Sequence, residues 1–293
     1  MELLDRALEW TAADPAGLDL TDPAHLDRSQ ALSDRLLGSG ATLDQLRELE
    51  TRLVSRQEGV PLVLHLAAKM AASKRIVLDL EGPAHLSVVF AVYKEHQRIL
   101  PPDRIPQGED FLVRKVIQLD WLCGDRDDVT WDMIVVDDGC PEGSGRIAAG
   151  IVADHRWHDR IRILFLDEAI AAGHPVTRPL TSADDSRKGG SIALGLWTAA
   201  QDERPGHVVV FTDADLSTPL AEFDRFSPEL ETGRPVVIGS RKLEPDRVVR
   251  RQPWFRQYMG RVFSWLARRL LNPQVADFTC GFKAFRREVV PVL

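Results

Sequence analysis

Five short runs, LSVVFAVY (86–93), WDMIVVDDG (131–139), IRILFL (161–166), HVVVFTDAD (207–215) and PVVIGSR (235–241), are almost continuously apolar. Between them lie stretches of helical character around 108–122, 143–157, 188–201 and 220–232. A strand that is wet on one face alternates apolar with polar residues, whereas a run without alternation belongs to a strand buried on both faces. Strand and helix in alternation therefore predict an open, mostly parallel α/β sheet with helices on both faces. Ligands of such sheets bind beyond the carboxyl ends of the strands.

The first ~80 residues read differently. They are rich in Leu, Ala, Asp, Glu and Arg, and Leu43, Leu46, Leu49 and Leu53 recur at helical spacing. Thr42 is placed to cap the helix LDQLRELETRL, because its hydroxyl can accept from an unpaired N–H of the first turn. Asp14-Pro15 and Asp22-Pro23 read as helix starts and the GSG at 38–40 as a break. The expected organisation is a helical extension over 1–80 followed by the sheet domain over 81–293. The extension carries no catalytic constellation and reads as a packing or interaction element.

Composition narrows the function classes. A formal charge of −7 argues against a nucleic-acid binder, whose footprint would be basic, but not against a small anionic ligand held by a local cluster. Cys123, Cys140 and Cys280 stand far apart without CxxC or Cys/His spacing, so they read as reduced thiols. His85, His155, His158 and His174 show no ligand spacing and read as incidental. No basic, apolar leader opens the chain and no apolar run nears the ~20 residues of a spanning helix. The expectation is a cytoplasmic protein, soluble or peripheral at the inner membrane face.

What the strand ends carry is the informative part. The first ends in Ala91-Val92-Tyr93-Lys94-Glu95, the second in Asp137-Asp138-Gly139 and a later one in Asp213-Ala214-Asp215, while Arg187-Lys188-Gly189-Gly190-Ser191 opens a helix between them. Crowded carboxylates repel unless a cation intervenes. A hard divalent ion shared with a substrate's phosphates resolves the conflict, and a Lys-Gly-Gly turn at a helix N-terminus suits an anion. Two other readings of FTDADLS are weaker. An aspartyl-phosphate phosphatase would want its second acidic pair after this motif, whereas Asp137-Asp138 precedes it. A calcium loop would want glycine where Thr218 stands and a bidentate Glu where Asp224 stands.

Taken together, SVVFAVYKE, MIVVDDG, RKGGSIALGL, FTDADLSTP, IGSRK and DFTCGFKAFRR resemble the successive motifs of family 2 GT-A glycosyltransferases, most of all the dolichyl-phosphate glucosyltransferase and polyprenyl-phosphate sugar transferase branch. The likeness runs over about 86–290. It implies a GT-A, Rossmann-like fold and a nucleotide-diphospho-sugar donor, UDP-sugars favoured, with Mg²⁺ or Mn²⁺. Ala91, Tyr93, Glu95, Asp138, Lys188 and Asp213 would bind the nucleotide, and Asp215 would hold the metal. Asp213, Asp215, Arg241 and Lys283 would form the catalytic group, and Ser240, Arg241, Asp277 and Gly281 would border the acceptor. The motifs differ in detail: the Pro-x-Tyr-Asn-Glu usual after the first strand is Ala91-Val92-Tyr93-Lys94-Glu95, Phe278-Thr279 stands where a Gln is usual, and 101–130 is an extra segment. Family members continue past the GFKAF motif, so the resemblance implies either a C-terminally shortened chain or a divergent member.

The segment RVVRRQPWFRQYMGRVFSWLARRLL (247–271) interleaves arginines with Trp254, Phe255, Phe263 and Trp265. It reads either as a helix packed on the sheet or as an interfacial helix whose arginines meet acceptor phosphate. The resulting expectation is an inverting transferase of a nucleotide-linked sugar to a polyprenyl phosphate. The alternatives are a catalytically silent nucleotide-sugar-binding module and the phosphatase.

Overall fold

A computed structural model describes residues 2–56, 59–221, 233–240, 254–270, 273, 275 and 277–292. A six-stranded sheet runs in the order β3-β2-β1-β4-β6-β5, with β1 Ala84–Val92, β2 Val129–Asp137, β3 Ile161–Phe165, β4 His207–Phe211, β5 Val236–Ile238 and β6 Lys283–Arg286. β1 pairs in parallel with β2 and β4, and β2 in parallel with β3. The far edge reverses, because β6 is antiparallel to both β4 and β5. The expected mixed, mostly parallel α/β sheet is therefore present. β6 has no counterpart among the predicted strands: KAFR spans only four residues and carries a cation at each end, which hides it from any apolar-run criterion.

The helices cover both faces. On one, α5 Phe111–Cys123 and α6 Ser144–His155 meet Leu86, Val88, Phe90, Val92, Met133 and Val135 in one apolar core. On the other, α7 Leu166–Ala171 and α8 Gly189–Ala200 meet Val89, Ile134, Val136, Val209 and Phe211. Alternate residues of β1 thus serve opposite cores, as the period-2 pleat requires. That is why the strand has to be apolar throughout. The sequence expects a helix at 220–232, which lies outside the described residues apart from its first two.

Four helices precede the sheet: α1 Leu3–Trp10, α2 Pro23–Gly38, α3 Leu43–Ser55 and α4 Leu62–Asp79. Thr42 and Gln45 form a reciprocal capping box on α3, Asp22 caps α2 with Pro23 in its first turn, and α2 stops at the Gly38-Ser39-Gly40 break. Asp14-Pro15 starts no helix. Asp14 instead takes both Nε and Nη2 of Arg28, so the carboxylate is engaged across the bundle and does not cap. α4 joins the two regions: Leu64, Ala67 and Ala71 pack in the helical core, and Leu66, Met70 and Val77 in the core over the sheet. Trp121 of α5 adds a hydrogen bond to Asp34 of α2 at 2.8 Å. A further helix, α9, spans Trp254–Leu270.

Candidate nucleotide and metal site

β1, β2 and β4 point their carboxyl ends at one corner of the sheet, and the turns that leave them build the site. After β2, buried Asp137 turns back and accepts from the N–H of Cys140 at 2.7 Å and of Gly145 at 2.5 Å. It fastens the first turn of α6, where negative charge is favoured. A Cβ at Gly145 would lie 2.5 Å from that of Asp137, so only glycine admits this approach. Leaving β1, Lys94 takes positive φ; its N–H donates to Cys140 Sγ and that of Glu95 to Ser144 Oγ. Ala91 is buried and Tyr93 stands exposed at the rim.

Asp138 organises the turn before α8. Its carboxylate accepts from the hydroxyls of Ser186 and Ser191 and from the N–H of Lys188 at 2.9 Å. Arg187 and Lys188 both hold positive φ, a conformation that persists only where neighbours over-determine it. Asp138 supplies that constraint. The turn aims Lys188 Nζ at the Asp213 carboxylate, with which it pairs. Asp185, next to it, accepts from Thr181 and the N–H of Ser182, which holds it within its own loop.

β4 delivers Asp213 and Asp215. Ala214 and Leu216 are buried between and after them, which anchors the turn while both carboxylates stay open to solvent. Asp215 accepts from the N–H of Ser217 at 3.1 Å and lies 3.5 Å from Arg98 Nη2. Burial pushes its carboxyl up, but the Ser217 bonds with the charges of Arg98 and Lys115 outweigh it and hold the group below the usual carboxylate range. From the β6 side, a Cβ on Gly281 would overlap the Asp213 carboxylate. Lys283 Nζ donates to the Cys280 carbonyl at 2.9 Å over the Phe211 ring; burial lowers its pKa, against the pull of Cys280, Asp213 and Asp277. Asp277 is buried and its carboxylate takes the N–H and hydroxyl of Thr279, which shapes the turn leading to Gly281. Ser240 sits just beyond β5, where Gly239 N–H donates to the Phe282 carbonyl. Arg241 lies outside the described residues.

Three site residues escaped the sequence reading. Lys115 on α5 is fully buried and donates to the Asp215 carbonyl at 2.9 Å. Burial draws its pKa down to about 8 against the charges of Asp215 and Asp213. Arg98 and Glu109 lie on the segment between β1 and α5 and form a bidentate pair. Nothing in the local sequence marks them, since VRKV reads as an ordinary helix turn. Their roles follow from a contact made across ~100 residues of chain, as the 2.9 Å Lys115–Asp215 bond shows. The carboxylates of Asp213 and Asp215 are hard oxygen donors, one held ionised, and suit Mg²⁺ or Mn²⁺.

The histidines need one correction. His85 is not incidental: with Ser87, Asp132 and His207 it forms a buried polar network at the opposite end of the sheet, where Ser87 Oγ donates to Asp132 at 2.5 Å and lies 2.9 Å from His207 Nε2. The network is assembled by the parallel register, in which Ser87 faces Asp132 on one side and Val209 on the other; spacing along the chain does not reveal it.

No family model matches the chain. Curated proteins do. Polyprenol monophosphomannose synthase of Mycolicibacterium smegmatis is 31% identical over 160 residues, 54% of this chain and 52% of that protein. Dolichyl-phosphate beta-glucosyltransferase ALG5C of Trichomonas vaginalis is 25% identical over 215 residues, 71% of this chain and 54% of the relative. The chain is a relative of the family 2 glycosyltransferases. Glycosyltransferase AglD of Haloferax volcanii, 29% identical over 164 residues, covers 56% of the chain but only 22% of itself. The chain thus spans about half the length of two of these glycosyltransferase relatives and about a fifth of the third.

Proposed function

We propose that the chain binds a nucleotide-diphospho-sugar, a UDP-sugar by preference, together with Mg²⁺ or Mn²⁺, and transfers the sugar with inversion to a polyprenyl phosphate. The observation that carries this reading is the meeting of Asp213, Asp215, Lys188 and Lys283 beyond the carboxyl ends of β1, β2 and β4. Two relatives are named for a polyprenol monophosphomannose and a dolichyl phosphate, which supports the acceptor class. A divalent ion at Asp215 would supply charge stabilisation for the departing diphosphate. Lys188 and Lys283 add cationic donors where that negative charge develops.

The acceptor needs no general base. A phosphomonoester has a second pKa near ~6 and is largely dianionic at neutral pH. One of its oxygens attacks the anomeric carbon as the bond from that carbon to the diphosphate oxygen breaks, and the nucleoside diphosphate leaves with the electron pair. A single displacement inverts the centre. α9 is the element that meets the lipid: Tyr258, Met259, Phe263, Trp265, Leu266 and Leu270 are exposed beside Arg268 and Arg269, the composition of an interfacial helix. Among the described residues no helix is long and apolar enough to cross a membrane.

Calorimetric titration of UDP, UDP-glucose and GDP-mannose with Mn²⁺ and with EDTA tests the reading. Binding is expected to require the metal and to fall at least about tenfold in Asp215→Ala. Binding of none of these ligands by the wild type, or binding indifferent to both EDTA and the substitution, would overturn it.

A further inference from the structure

We infer that Arg98 is a donor-binding residue that neutralises Asp215 before the donor arrives and turns to the donor's diphosphate once Asp215 is engaged by a cation. The inference rests on the proposed function and adds to it a residue that no motif assigns. Arg98 stands on the connection between β1 and α5, and that connection is built to hold it. Ile99 is fully buried, its N–H donates to the Glu95 carbonyl, and the N–H of Glu109 returns to the Arg98 carbonyl at 2.9 Å. A Cβ on Gly108 would lie 2.5 Å from the Leu100 carbonyl oxygen, so the connection closes tightly on itself.

The guanidinium spreads over three acids. Nε and Nη2 grip Glu109 at 2.8 and 3.0 Å, Nη1 reaches Glu95 at 3.0 Å, and Nη2 faces Asp215 at 3.5 Å. The first two are hydrogen bonds and the third is longer than one. Arg98 is therefore anchored by Glu95 and Glu109 and only leans on Asp215, the contact that can be given up without moving the side chain. Asp213 is held more closely, by a direct ion pair with Lys188. Around the turn, Glu95, Glu109, Asp213, Asp215 and Asp277 face Arg98, Lys115, Lys188 and Lys283, so most of the acid charge is already offset without a divalent ion. A cation arriving alone has to compete with Arg98 and Lys188; a cation arriving with a diphosphate gives both side chains a new anion. A guanidinium suits that anion because its fork matches phosphate oxygens. Metal and nucleotide should each bind weakly alone and strongly together.

The test measures Mn²⁺ binding by electron paramagnetic resonance and nucleotide binding by calorimetry, with UDP as probe, or GDP if the wild type holds that instead. In Arg98→Met, Mn²⁺ without nucleotide should bind about two- to fivefold more tightly, because a competing ion pair is gone, while UDP at saturating Mn²⁺ should bind at least about tenfold more weakly. Glu109→Gln retains the Arg98 charge and removes one acid, so Mn²⁺ alone should bind more weakly than in the wild type. A merely structural Arg98 would lower both affinities in Arg98→Met, and that result overturns the inference. Should Arg98→Met fail to fold, Glu109→Gln decides: unchanged or tighter Mn²⁺ binding overturns it. If the wild type binds no metal–nucleotide pair, the proposed function falls first; if it binds the pair and the two affinities do not move in opposite directions in Arg98→Met, only the role of Arg98 falls.

Discussion

Lys115 shows how one residue can serve the site at the expense of the fold. Its ammonium is wholly buried with the Asp215 carbonyl as its hydrogen-bond partner, and burial lowers its pKa to about 8, against an ordinary value near ~10.4. The folded protein releases this proton before the unfolded chain does. The group's contribution to stability is therefore complete above the unfolded value, falls as pH drops towards 8, and is lost below it. Lys115→Met should flatten the rise in stability between about pH 8 and 10.4 and leave the protein about 1 kcal/mol more stable at pH 7, read from denaturant melts at both ends of that range. The same variant should bind the Mn²⁺–nucleotide pair about tenfold more weakly, since the backbone of Asp215 loses its anchor. A gain in stability with a loss in binding separates positioning from packing.

At the scale of elements, the site is made by turns clamped between regular structures. Asp138 follows β2 and locks the left-handed Arg187–Lys188 turn onto α8. Gln118 of α5 accepts the N–H of Leu220 at 2.9 Å, so α5 holds the turn after β4 at two points. α9 is the contrasting element. Ala267 is buried, whereas Trp265 is 62% and Leu270 75% exposed, which leaves a broad apolar surface in water. Exposed apolar side chains gathered on one helix are the kind of surface through which a protein meets a partner or a lipid. If α9 meets lipid, the protein should sediment with vesicles containing anionic lipid, and Trp265→Ser with Leu270→Ser should reduce the bound fraction several-fold, as burial is worth about 1.5–3 kcal/mol per large side chain. Nucleotide binding in solution should be unchanged.

Across the whole molecule the two ends of the sheet divide the labour. The carboxyl end gathers the charges of the site. The opposite end hides a network that ties β1, β2 and β4 together through His85, Ser87, Asp132 and His207, with Arg162 closing on Asp132 at 2.9 Å. Burial, and the neighbouring His85, lower the pKa of His207 against the pull of the Asp202 carbonyl and of the Asp202 and Asp132 charges. A depressed folded value means that stability is present above the unfolded value of about 6.5 and is lost as pH falls below it. Thermal melts should be level near pH 7–8 and decline below about 6.5, and His207→Asn should make that limb shallower. A limb that begins only near pH 4 would assign the acid sensitivity to carboxylates instead.

The sequence by itself determined the α/β class, the positions of the five strands β1 to β5, the caps on α2 and α3, and the strand-end acids. Each of these is written in local patterns: period, turn chemistry, and an apolar run that stops at a charge. Only the tertiary structure decided what those acids touch. Asp138 turned inward to hold the Lys188 turn, Asp277 turned to Thr279, and Lys115, Arg98 and Glu109 entered the site from ordinary-looking stretches. β6 and the buried histidines likewise became visible only through their neighbours. Those facts depend on pairing between distant segments, and a charged side chain carries no local sign of whether it will meet water, a partner or a ligand.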